Sequence, residues 1–113
     1  MAVIVRTSKP DTLLNEIYRA IDEGRIDTWS YDNDGDLTHS ATQWNKQAWM
    51  RPKTENGVIL FFIIGRKNSP LTRQLYSIYH GRFVEMLINH LYMYCDSGEI
   101  VATSQPMKYD KIK

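Results

Sequence analysis

The chain has 113 residues, 42% of them hydrophobic, which suits one domain with a real core and excludes a wholly disordered chain. Its 14 basic and 13 acidic residues leave a formal charge of +1, so no global field draws it onto nucleic acid or an anionic membrane. The single cysteine, Cys95, excludes an intrachain disulfide and fits a reducing, cytoplasmic setting.

Ala2–Val5 is apolar and rich in β-branched residues, which predicts a buried strand. Lys9 and Asp11 follow too soon for a signal peptide. Ser8-Lys9-Pro10-Asp11 predicts a helix start, with Ser8 as the cap and Pro10 in the first turn. Leu13, Leu14, Ile17, Ala20 and Ile21 continue it at helical spacing, and Gly24 stops it.

Ile26–Tyr31 reads as a strand with Trp29 and Tyr31 on one face. Asn33-Asp34-Gly35 is a turn, and Leu37–Ser40 is the returning strand. Gln43–Arg51 is a further extended segment whose pairing Pro52 should end. Asn56-Gly57 is a second hairpin turn. Val58–Ile64 is apolar on both faces, which marks a central strand, and is too short to span a bilayer.

Ser69-Pro70 opens a second helix, expected to run towards Cys95. Asp96-Ser97-Gly98 turns the chain into a last strand, Ile100–Thr103. The expected organisation is a single α+β domain over residues 1–104 and a flexible, lysine-rich tail over 105–113. The element order is β-α-β-β-β-α-β, a mainly antiparallel sheet covered by two helices. If both helices pack on one side, the other face of Val58–Ile64 needs a cover, and a second copy is the natural source.

The second helix holds the most unusual segment, Tyr79-His80-Gly81-Arg82-Phe83. Glycine in a helix interior costs roughly 1 kcal/mol relative to alanine, so Gly81 asks for a reason. On a helical wheel Tyr76, Tyr79, Phe83, Met86, Leu87, His90 and Tyr94 share one side. His90 falls near its centre and reads as a hydrogen-bonded core residue. His80 stands at its margin, where it could titrate near neutral pH. Ser77, Gly81, Ile88 and Tyr92 look the other way, and Ser77 with Gly81 would let another backbone come close. A bend at Gly81 is the alternative.

Three function classes remain. The first is a non-enzymatic interaction module, a homodimer or the ligand of another protein, using Tyr76, Ser77, Gly81, Ile88 and Tyr92. The second is a small enzyme or ligand-binding protein for a phosphorylated or nucleotide-like compound, with His39, His80 and Arg82 as catalytic candidates. Trp49 and Arg51 would line its pocket. The third and weakest is single-stranded nucleic-acid binding on the strands that carry Trp29, Trp44 and Trp49.

Other chemistry is not expected. Asp32-Asn33-Asp34-Gly35-Asp36 has its glycine at the wrong place for a calcium loop, and Gln43 stands where the bidentate glutamate belongs. No cofactor motif, phosphate loop or nucleophile elbow is present. Cys95 reads as a buried small hydrophobe.

Overall fold

In a computed structural model, which describes residues 2–94 and 100–102, the strands are β1 (Ala2–Arg6), β2 (Trp29–Tyr31), β3 (Leu37–His39), β4 (Ala48–Glu55), β5 (Val58–Gly65) and β6 (Ile100–Ala102). The helices are α1 (Pro10–Asp22), between β1 and β2, and α2 (Arg73–Leu91), after β5; a short 3-10 turn, Tyr92–Tyr94, follows α2. The α+β class holds, and four strands stand between the helices because the end of the Gln43–Arg51 segment starts β4 at Ala48, while residues 42–46 form a turn rather than extended chain. All six strands form one antiparallel sheet of order β2-β3-β4-β5-β1-β6, with β4 and β5 in its middle and β1 between β5 and the edge strand β6.

The pleat sorts the side chains. Val3, Val5, Leu37, Ala48, Met50, Ile59, Phe61 and Ile63 join Leu13 and Ile17 of α1 and Tyr79, Phe83 and Leu87 of α2 in one core. Both helices therefore cover the same face. Each fully buried side chain of this size contributes roughly 1.5–3 kcal/mol. On the opposite face, Leu60 and Phe62 are nevertheless only 8% and 7% exposed in the single chain. The central strand is two-sided as expected, but these two residues do not need a second copy to bury them.

Several local expectations shift, each for a physical reason. Lys9, not Ser8, holds the cap position of α1 and no side chain caps the helix; Pro10 at the first turn needs no N–H partner. Gly24 ends α1 as expected, at φ +78°. β4 runs through Pro52 to Glu55. Pro52 is tolerated there because β3 pairs with β4 only at Leu37–Met50, which leaves an open edge for a residue with no N–H. Helix α2 begins at Arg73, since Thr72 is the cap and its Oγ1 accepts from the Leu75 amide at 3.1 Å. It passes through Gly81 without a break. The expected turn at Asp96–Gly98, the buried Cys95 and the lysine-rich tail lie outside the described residues.

Candidate functional site

Helix α2 presents two surfaces that leave the core, and Arg82 belongs to both. The first is a cleft of about 390 Å³ between α2, the end of β2–β3 and the loop before β4. Trp29, His39, Gln43, Trp44, Arg82 and Glu85 line it.

The sheet register sets His39 opposite Trp29, with ring centroids 5.0 Å apart. Tyr79 meets the same imidazole edge-on at 6.2 Å. His39 Nδ1 lies 2.7 Å from the carbonyl of Thr28. A carbonyl only accepts, so Nδ1 carries the hydrogen and Nε2 of the neutral ring is an acceptor. His39 is only 6% exposed. Nε2 has no protein partner among the described residues, and His39 lines the cleft.

The loop that carries Gln43 and Trp44 is held from below. Amides of Trp44 and Asn45 bond to Ala41, and Lys46 takes φ +59°. The Lys46 amide donates to Thr38 Oγ1 at 3.0 Å, and the Tyr79 hydroxyl lies 3.0 Å from the same oxygen. Tyr79 also donates to the carbonyl of Trp44, and Thr38 donates to that of Ala48 at 2.9 Å. Two hydroxyl hydrogens thus serve three close oxygen contacts in a buried site, which ties the loop to α2.

The second surface is the outward side of α2. Ser77, Ile78, Gly81 and Arg82 border a shallow groove of about 320 Å³. A Cβ on Gly81 would meet nothing within 4 Å. Further along, Ile88 on α2 and Tyr92, which opens the 3-10 turn after it, are 54% and 65% exposed. Ser77, Gly81, Ile88 and Tyr92 do share one side, as the wheel predicts.

Several candidates go elsewhere. His80 is buried, not marginal: it is 2% exposed, its Nδ1 bonds the Tyr76 carbonyl at 2.6 Å, and its ring stacks on Tyr76 at 4.6 Å. It is not among the residues lining the His39 cleft. Tyr76 belongs to the core and is no surface contact. His90 is exposed. The buried side of α2 turns from Tyr79, Phe83 and Met86 towards Leu87 and Leu91 before His90 is reached, so the wheel's average centre is not its centre at the last turn.

Trp49 and Arg51 stand on the sheet face away from the helices, opposite Ile64 and Phe62. Neither lines the His39 cleft. Arg51 instead binds the buried Asp36 carboxylate through two nitrogens, at 2.9 and 2.7 Å. That pairing pushes the Arg51 guanidinium further above its ordinary range. The three tryptophans form no shared platform: Trp29 is in the core, Trp44 is at the cleft, and Trp49 is on the far face.

The acidic turn is accounted for by its own bonds. Asp32, Asp34 and Asp36 bring carboxylate oxygens within 4.8 Å of one another. Asp32 Oδ1 accepts from the amides of Asp34 and Asp36, each at 3.0 Å, which builds the turn, while Arg51 takes Asp36. No helix among the described residues is long and apolar enough to cross a membrane.

No protein-family model matches this chain, and neither a curated protein nor a solved structure matches it.

Proposed function

We propose that this protein is a non-enzymatic interaction module that pairs with a second copy through the outward side of α2. Gly81 carries the reading. It has an ordinary helical backbone and open space where its Cβ would be, so neither conformation nor internal packing asks for glycine. The helix still bears a cost of about 1 kcal/mol. Close approach of another chain is the remaining reason.

The pattern along the helix supports a second copy as that chain. Ser77 and Gly81 are small, while Ile88 and Tyr92 are large, apolar and exposed. Each pair spans one helical turn. An antiparallel α2 that sets Ile88 over Gly81 therefore also sets Tyr92 over Ser77, and the reverse pairs follow by symmetry about Val84 and Glu85. Large meets small at these four positions, as a self-complementary two-fold interface allows. The single cysteine fits a cytoplasmic, reducing location for such a module.

Sedimentation velocity of the wild-type chain and of Gly81→Leu tests this. The wild type should be a dimer at micromolar concentration. Gly81→Leu should be a folded monomer, since leucine is a good helix former and the space at Gly81 is open. A monomeric wild type across the micromolar range sinks the proposal.

A further inference from the structure

We infer that the cleft between α2, β2–β3 and the loop before β4 binds a planar heteroaromatic ring of the nucleobase type, one with a ring carbonyl beside N–H donors. This goes beyond self-association through α2 and rests on a different observation, the unpartnered Nε2 of the buried His39.

Start with the polar groups. His39 Nε2 is an acceptor in the neutral ring, fixed by the bond from Nδ1–H to the Thr28 carbonyl. An unpartnered ring nitrogen on a residue that lines a concave site is a specific handle for a ligand donor. Glu85 adds two carboxylate acceptors from α2, and Arg82 on the same helix adds donors. Their side chains are 59% and 53% exposed and approach each other only to 3.5 Å, so both remain able to turn to a ligand.

Then consider charge. Among the described residues that line the cleft, Arg82 and Glu85 are the Arg, Lys, Asp or Glu side chains, and their charges cancel. A phosphate would meet one arginine already shadowed by a carboxylate. The other arginine expected there, Arg51, is committed to Asp36, and His80 is packed on Tyr76. Phosphoester chemistry therefore lacks its groups. A neutral ring whose edge reads carbonyl, N–H, N–H matches an arginine next to a carboxylate: the guanidinium meets the carbonyl and the carboxylate takes the two donors. Trp44 supplies an aromatic wall for the ring face. The volume, about 390 Å³, lies within the ordinary range for small-molecule sites.

The test uses the full chain and three probes: guanosine 5′-monophosphate, adenosine 5′-monophosphate and inorganic phosphate. Binding is followed through the indole N–H resonance of Trp44 and by calorimetry. The guanine nucleotide should shift Trp44 and bind about tenfold or more tighter than the adenine nucleotide, whose edge sets an acceptor against the carboxylate. Glu85→Gln should erase that preference, and His39→Gln should weaken binding of the guanine nucleotide. Sedimentation of the Glu85→Gln chain separates a lost ligand contact from lost self-association. Equal binding of the two nucleotides, binding of phosphate as tight as either, or an unmoved Trp44 at millimolar probe overturns the proposal.

Discussion

The phenol of Tyr79 donates to the main-chain carbonyl of Trp44, and so joins the middle of α2 to a loop 35 residues earlier in the chain. The ring of Tyr79 is fully buried beside Trp29 and His39. Tyr79→Phe keeps that packing and removes only the hydroxyl. The carbonyl of Trp44 then keeps only the Gln47 amide as a donor, at 3.2 Å, and the loss should cost about 0.5–1.5 kcal/mol. The expected result is a lower urea midpoint with an unchanged slope. The Lys46 amide, which donates to Thr38 Oγ1 in the same cluster, should exchange its hydrogen faster. Unchanged exchange at Lys46 would mean that the loop does not depend on Tyr79.

Arg51 and Asp36 predict a second stability effect, away from the cleft. Asp36 has a side chain only 7% exposed, whereas Arg51 is 44% exposed. Arg51→Met keeps the stem and strips the guanidinium from a buried carboxylate. It should cost about 1–2 kcal/mol, less than breaking a fully buried pair because water reaches the Arg51 side. Breaking the exposed Arg19–Glu23 pair should cost less, since water screens both partners. Urea denaturation of Arg51→Met and Arg19→Met checks the order; equal losses would contradict it.

Tyr18 predicts an alkaline effect. Its hydroxyl donates to the carbonyl of Gly35 at 2.6 Å, and its ring lies 4.6 Å from that of Tyr31. Burial, with Asp36 as the next cause, raises its pKa above the ordinary value of 10.0. A group that holds its proton more tightly when folded stabilises the fold fully below its unfolded pKa, and loses that contribution as pH rises through the folded one. Wild-type stability should therefore fall above pH 10.0, and Tyr18→Phe should remove part of that fall. Parallel stability profiles for the two proteins above that pH would show that Tyr18 takes no part.

The residues that were legible from sequence are those whose reasons are local. Helix α1 follows from its spacing. Gly35 and Gly57 sit at φ +82° and +77°, as their turns require. The central place of Val58–Ile64 follows from apolar residues on both faces. What was not legible depends on distant partners. Proline at 52 looks like a strand end until the open edge beyond Leu37–Met50 is known. His80 and His90 exchange roles because the neighbours of α2 change along its length. Residue type groups His39 and Arg82 as candidates for one pocket, but their meeting needs α2 to pack over the end of β2–β3. Glu85 has no sequence signal beyond its residue type. Trp44 as a cleft wall, and Tyr79 as the support beneath it, had no sequence signal beyond residue type, because Thr38 and Tyr79 are 41 residues apart.

Gly81 supplies the sharpest test, because its two effects have opposite signs. In the single chain, Gly81→Ala fills open space and improves helix propensity, so thermal stability measured on dilute protein should rise by about 1 kcal/mol. In the pair, the added methyl lies where Ile88 of the second copy would sit, so association should weaken. Few substitutions stabilise a fold while weakening its self-association, and general damage to the domain produces the reverse of the first effect. The two quantities are read by thermal melts at low concentration and by sedimentation equilibrium at high concentration. A stabilised chain that associates as before would mean that Gly81 is not at the contact. A destabilised chain would mean that something in the domain itself requires glycine at that turn of α2.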